Sequence, residues 1–167
     1  MKLPPDYVCG FVDGEGSFTI GIAKHKTKKL GLDARLHFEI ELRLDDRNIL
    51  EDIQDTLECG RLYELNYERY GWNPHIKFKV SSIKEIEEKV IPFFQKHSLR
   101  GKKRHSFKLW VQAANLFYKK EHLTKNGIIK LRNIQKKMNK YSKKGGKLRV
   151  RHGAGKPRAG RRENRLQ

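Results

Sequence analysis

The chain has 167 residues, and its 38 Lys and Arg against 19 Asp and Glu give a formal net charge of +19. Its aromatic share of 10% suits a folded domain rather than a disordered chain. No stretch approaches the roughly 20 apolar residues of a membrane span, and Met1-Lys2-Leu3-Pro4-Pro5-Asp6 lacks the apolar core of a secretory leader. Membrane-spanning, secreted and collagen-like proteins are therefore not expected, and a polyanionic partner, nucleic acid most economically, is.

Pro4-Pro5-Asp6 predicts a short helix from Tyr7 that stops near Gly14 and Gly16. From Ser17 the pattern alternates, Phe18, Ile20 and Ile22 opposing Thr19, Gly21 and Ala23. Lys24 to Gly31 reads as a basic hairpin loop, and Leu36 to Leu44 alternates again with His37, Glu39, Glu41 and Arg43 on the polar side. Asp45 and Asp46 are expected to cap a helix carrying Ile49, Leu50, Ile53 and Leu57, ended by Cys59-Gly60. A second hairpin follows, Arg61 to Tyr67 and His75 to Val80, around a turn containing Tyr70 and Trp72. Three helices complete the folded part: Ile83 to His97, Lys103 to about His122, and Thr124 to Tyr141. The order α-β-β-α-β-β-α-α-α is an α+β domain with a helix-backed antiparallel sheet. The last 25 residues hold ten Lys and Arg against Glu163, with several glycines and few large aliphatics. They read as a disordered arm, serving either sequence-independent contact with nucleic acid or solubility.

Two features bear on chemistry. The open face of the sheet collects Thr19, Ala23, His37, Glu39, Glu41, Arg43, Arg61, Tyr63, Lys77 and Lys79, either an ordinary solvated face or one that lies on a nucleic-acid groove. The first helix runs Val8-Cys9-Gly10-Phe11-Val12-Asp13-Gly14-Glu15-Gly16. Gly10 and Gly14 share a helix face, and two glycines cost a helix about 1 kcal/mol each against Ala, a loss that close approach of another helix offsets. The helix ends in two carboxylates where its dipole disfavours them, so Asp13 and Glu15 are either functional or hydrogen-bond acceptors for a turn. Cys9 and Cys59 form neither a disulfide framework nor a metal cluster, which suits a reducing compartment.

The stretch Val8–Gly16, continued by Ser17-Phe18, resembles the LAGLIDADG motif of homing endonucleases. The element order over residues 4–142, Asp45-Asp46-Arg47-Asn48-Ile49-Leu50, and Leu99-Arg100-Gly101-Lys102-Lys103 with Ser106-Phe107 are similar to that family as well. One motif copy implies the single-motif branch, a homodimer joined through Val8, Cys9, Gly10, Val12, Asp13 and Gly14. The resemblance implies an endonuclease domain at residues 1–142, a basic arm at 143–167, and a sheet forming a DNA-binding saddle. It implies hydrolysis of both strands of a long pseudo-palindromic site, with short 3′ overhangs, in the service of intron mobility. Glu15 and the Gly16 carbonyl would hold Mg²⁺, or Mn²⁺ or Ca²⁺, with Asp13 as a further candidate ligand. Lys103, or its rival Lys102, would stand beside the active site, and Glu41 or Arg43 would position water. Thr19, Gly21, Ala23, His37, Glu39, Glu41, Arg43, Arg61, Tyr63, His75, Lys77 and Lys79 would face bases. Lys24, His25, Lys26 and Lys28 would grip phosphate. Glu39 and Glu41 would accept from cytosine or pair with Arg43. An RNA-binding intron maturase on the same fold is the alternative, with intron RNA as its partner. An intracellular setting, a prokaryotic cytoplasm or an organelle, is expected.

Overall fold

A computed structural model describes residues 1–68 and 71–143 of the chain. The alternating segments become four antiparallel strands, β1 (Gly16–Lys24), β2 (Leu32–Arg43), β3 (Arg61–Leu65) and β4 (His75–Val80), in the spatial order β1-β2-β4-β3. Gly16 pairs with Ile40 and Lys24 with Leu32, so β1 and β2 form a long hairpin. Lys77 stands opposite Glu41 on one side and Tyr63 on the other. This register turns Phe18, Ile20, Leu36, Phe38, Ile40, Ile76, Phe78 and Val80 to one face, where all are buried.

Helices cover that face alone. Leu50, Ile53 and Leu57 of α2 (Arg47–Leu57) are buried, as are Phe107, Trp110, Ala113, Ala114 and Phe117 of α5 (Lys103–Tyr118). Phe18 is the hub of an aromatic cluster, with ring centroids 5.0 Å from Phe38, 5.1 Å from Trp110 and 5.2 Å from Phe107. The Trp110 indole N–H and the Gln135 amide donate to the Thr19 and Ile20 carbonyls at 3.2 and 2.7 Å, tying β1 to α5 and to α6 (Lys125–Lys143). No helix among the described residues is long and apolar enough to cross a membrane.

Five points differ from the sequence reading. Strand β2 starts at Leu32 rather than Leu36, and β3 ends at Leu65 rather than Tyr67. Between α3 (Ile83–Glu85) and α4 (Ile91–Lys96) lies a π-turn, Ile86–Val90, just before Pro92. Proline has no N–H for an ordinary helical bond and crowds the preceding turn, and the widened turn accommodates both. Helix α5 stops at Tyr118, because Lys120 takes a left-handed φ of 56° and leads into a 3₁₀ turn, Glu121–Leu123. Gly127 lets α6 start against that turn, since a Cβ there would fall 1.8 Å from the Glu121 carbonyl oxygen. Finally, Asp45 and Asp46 do not cap α2: they lie in a 3₁₀ turn, Leu44–Asp46, and Asp45 is engaged by Arg43. The basic arm expected at 143–167 lies outside the described residues from position 144 onward.

Candidate functional site

Helix α1 (Pro5–Glu15) has two unlike sides. Val8 and Val12 are 0% exposed and Cys9 5%, so all three belong to this chain's own core, which corrects the expectation that they meet a second copy. The outward side carries Tyr7, Gly10, Phe11 and Gly14, with the Tyr7 and Phe11 rings stacked at 6.2 Å. A Cβ placed on Gly10 or Gly14 would meet nothing within 4 Å. Neither glycine is therefore required by contacts among the described residues, and there the strip is bare. Gly16 is different: a side chain there would strike the Val12 Cγ1 at 2.7 Å, so glycine is what lets α1 turn directly into β1.

Glu15 closes α1 and is exposed. The Lys103 ammonium donates to the Gly14 carbonyl at 3.2 Å, bringing a cation to the negative end of the helix. Burial pushes the Lys103 pKa below the ordinary lysine value, against the opposing pull of Asp13 and Glu15. Lys102 is exposed, so of the two sequence candidates Lys103 is the one that reaches the helix end. Asp13 is a structural acceptor: its Oδ2 takes the Arg100 and Gly101 amides at 2.8 and 2.9 Å, and its Oδ1 is buried against Gly101. That carboxylate is turned into the chain, which corrects its place as a candidate metal ligand. Burial, with Asp6 and Asp13 nearby, pushes the Cys9 thiol up to about 11, and burial pushes that of Cys59 up to about 12, so both stay protonated and unreactive.

The uncovered face of the sheet is ordered in cross-strand rows. Arg61, Lys79, Glu39 and Ser17 form one, and Tyr63, Lys77 and Glu41 the next. Both acids are matched to lysines, Glu41 to Lys77 at 2.9 Å and Glu39 to Lys79 at 3.8 Å. Arg43 turns away to hold Asp45 with two hydrogen bonds of 3.2 and 2.8 Å, so the proposed Arg43 pairing with Glu39 or Glu41 is not formed. Burial, and then Lys79, holds the His37 imidazole below its ordinary pKa, so it is neutral at pH 7. Arg35, His37, Tyr63, Lys77 and Lys79 line one concavity. Thr19 and Gly21 are half-buried, Ala23, Lys24, Lys26 and Lys28 are exposed, and the His25 ring packs on Thr27 within the loop after β1. Two residues of this face were missed. Arg35 continues the alternation of His37 and Glu39 one residue before Leu36, where the strand was expected to begin. Tyr67 lies in the β3–β4 connection and donates to Glu41 at 3.1 Å, a contact with no sequence signal.

A family model described as LAGLIDADG endonuclease matches residues 8–114. The chain belongs to the LAGLIDADG endonuclease family. The match runs from α1 through the sheet to α5 and so contains Glu15, the open sheet face and Lys103. Among curated proteins, "Probable intron-encoded endonuclease 3" of Neurospora crassa is 32% identical over 139 residues, 83% of this chain and 25% of that one. "DNA endonuclease I-CeuI" of Chlamydomonas moewusii is 26% identical over 91 residues, 54% of this chain and 40% of that one. The LAGLIDADG homing endonuclease I-LtrWI bound to target DNA superposes with a TM-score of 0.75 at 34% identity, over 83% of this chain and 45% of that one. I-SmaMI bound to cleaved DNA gives 0.76 at 29%, over 83% and 44%. The chain thus spans about a quarter of the Neurospora relative and under half of each LAGLIDADG structure.

Proposed function

We propose that this LAGLIDADG chain is a homing endonuclease that cuts both strands of a long, pseudo-palindromic DNA site, acts as a homodimer with Mg²⁺, and promotes intron mobility in a prokaryotic cytoplasm or an organelle. The observation that carries the reading is Glu15, exposed at the end of a helix whose outward strip is bare, with the half-buried Lys103 beside it.

The donor chemistry fits a hard cation. Among the described residues no three His, Cys, Asp or Glu side chains gather, so one chain offers Glu15 as a carboxylate with its remaining partners to come from elsewhere. Mg²⁺ suits that, because it keeps several waters and takes few protein carboxylates. Glu15, with the Gly16 carbonyl, would hold it, and I-SmaMI bound to an uncleaved target in the presence of calcium ions supports divalent-ion use in this fold. Such a cation, when bound, polarises a phosphate and lowers the pKa of a water.

The remaining work falls to the chain itself. Packing the Gly10 and Gly14 strips of two copies about a twofold axis brings both Glu15 residues to that axis, one for each DNA strand. Lys103 sets a positive charge against a phosphoryl oxygen, and its partial burial keeps water from screening it. Asp13 fixes the loop that leads into α5 and so aims Lys103. The open sheet face follows the major groove, where base edges differ most, while Lys24, Lys26 and Lys28 hold phosphate.

The test is cleavage. The purified chain with Mg²⁺ should cut a minority of duplexes from a random-sequence plasmid library at defined positions. Glu15→Gln should bind the same duplexes and cut none. Equal cutting by Glu15→Gln and wild type, or indifference to Mg²⁺ and other divalent ions, defeats the reading.

A further inference from the structure

Glu41 sits at the end of the sheet that adjoins α1, one residue beyond the Gly16–Ile40 pairing. It is the most heavily engaged acid on the open face. Its Oε2 accepts from the Lys77 ammonium at 2.9 Å, and its Oε1 meets the His75 Nδ1 and the Tyr67 hydroxyl, each at 3.1 Å. Tyr67 in turn stands edge-on to His75 at 5.0 Å and to Trp72 at 6.0 Å. Three separate segments therefore meet on one carboxylate: β2, β4 and the connection that precedes β4. Glu39, two residues earlier on the same face, makes no comparable cluster and reaches Lys79 only at 3.8 Å.

An acid that faces a polyanion repels it unless its charge is already matched. Partial burial pushes the Glu41 pKa up, but hydrogen bonds from Lys77, His75 and Tyr67 outweigh it and hold the carboxylate below its ordinary value. Glu41 is thus ionised and matched. Its effect on Lys77 is the informative one. A free lysine on a flexible stem is a point charge that falls to the nearest phosphate, which carries no sequence information. Lys77, at 24% side-chain exposure and held from the side, is restrained from that excursion. His75, at 28%, is held in the same way.

We infer that Glu41 is a positioning residue for base recognition: it fixes Lys77 and His75 over the base pairs nearest the cut and turns a phosphate-seeking cation into a reader of sequence. This rests on the DNA-cleaving function proposed above. Three of the roughly four acceptor sites of the Glu41 carboxylate are taken by Lys77, His75 and Tyr67.

The experiment uses duplexes selected from a random library by the wild-type chain, with every single-base variant of the selected site. Binding is measured across this panel at several salt concentrations, separately from cutting, for wild type, Glu41→Gln, Glu39→Gln and Lys77→Gln. Glu41→Gln should lower discrimination at the innermost positions of each half-site by about 5- to 10-fold, as loss of an ordered base contact does. It should also steepen the salt dependence by about one phosphate contact per chain, as the freed Lys77 moves to the backbone. Outer positions should match wild type, and Glu39→Gln should lose less inner discrimination than Glu41→Gln, because Glu39 holds its lysine only at 3.8 Å. Lys77→Gln should lose the same inner discrimination with a shallower salt slope, which guards against misreading a loosened fold. An even loss of binding at all positions, or unchanged inner discrimination in Glu41→Gln, overturns the inference. Wild type that binds with graded preference but does not cut defeats the nuclease reading and leaves this one testable on the same panel.

Discussion

The chain leaves two surfaces uncovered, and they are unlike. The outward strip of α1 is small, weakly apolar and bare: Gly10 and Gly14 have open space where a Cβ would stand, and the exposed Tyr7 ring stacks on the half-buried Phe11. The open face of the sheet is wide and charged, with lysines and acids matched in cross-strand rows. A strip whose glycines meet no other described residue fits the backbone of a protein partner. A charged face that has settled its own acids fits a polyanion. Glu15 and Lys103 lie where the two surfaces meet, which is where a partner helix and a phosphate would arrive together.

The two surfaces should respond to substitution in opposite ways. The largest effect is expected for Gly10→Leu, which should leave the fold intact, convert a two-chain species to one chain in sedimentation, and lower double-strand cutting by more than about 100-fold, since one copy then lacks its counterpart. Gly10→Ala sharpens the same point: it should raise the stability of the isolated chain by about 1 kcal/mol in chemical denaturation while weakening self-association.

Lys103→Met should lower cutting by about 100-fold, as loss of one charge-stabilising donor does. Melting temperature at neutral pH should be unchanged or higher. The sign follows from the lowered pKa: folding penalises the charged form, so between the folded and the ordinary lysine pKa the unfolded chain binds more protons and stability rises with pH. Wild-type cutting should fall over that same alkaline interval, below the pH at which an ordinary lysine titrates. The smallest effect belongs to the charged face. Lys79→Met should weaken binding to all duplexes nearly evenly and reduce the salt slope by about one, with stability within about 0.5 kcal/mol of wild type.

The strands were legible because burial on one face imposes a period of two: Phe18 and Ile20, Phe38 and Ile40, and Ile76, Phe78 and Val80 all fall on the covered side. Glu15 stood out through the motif's resemblance to its family, since the helix dipole alone left a turn-forming role open for both acids, and Asp13 was legible as an acceptor for a turn, though not which turn. The partners were not legible. Arg100 and Gly101, which Asp13 holds, are 87 and 88 residues away in sequence. The choice between Lys102 and Lys103 depends on one residue of helix rotation, and Glu41 with Lys77 depends on the register of two strands joined through α2 and β3. Whether Asp45 caps α2 or pairs with Arg43 is a contest between two local hydrogen bonds of similar worth. Val8, Cys9 and Val12 were assigned to the wrong side of α1 because a motif names a helix without saying which face turns inward.

The central claim is that cutting needs Glu15 from two copies meeting along α1. Mixing wild type with Glu15→Gln at fixed total chain concentration, refolded together so that copies exchange, tests it directly. The expected yield of linear plasmid falls as the square of the wild-type fraction, to about a quarter at equal amounts, as random pairing of two chains requires. A yield that falls in direct proportion to the wild-type fraction would mean that a single chain cuts both strands, and would contradict the claim.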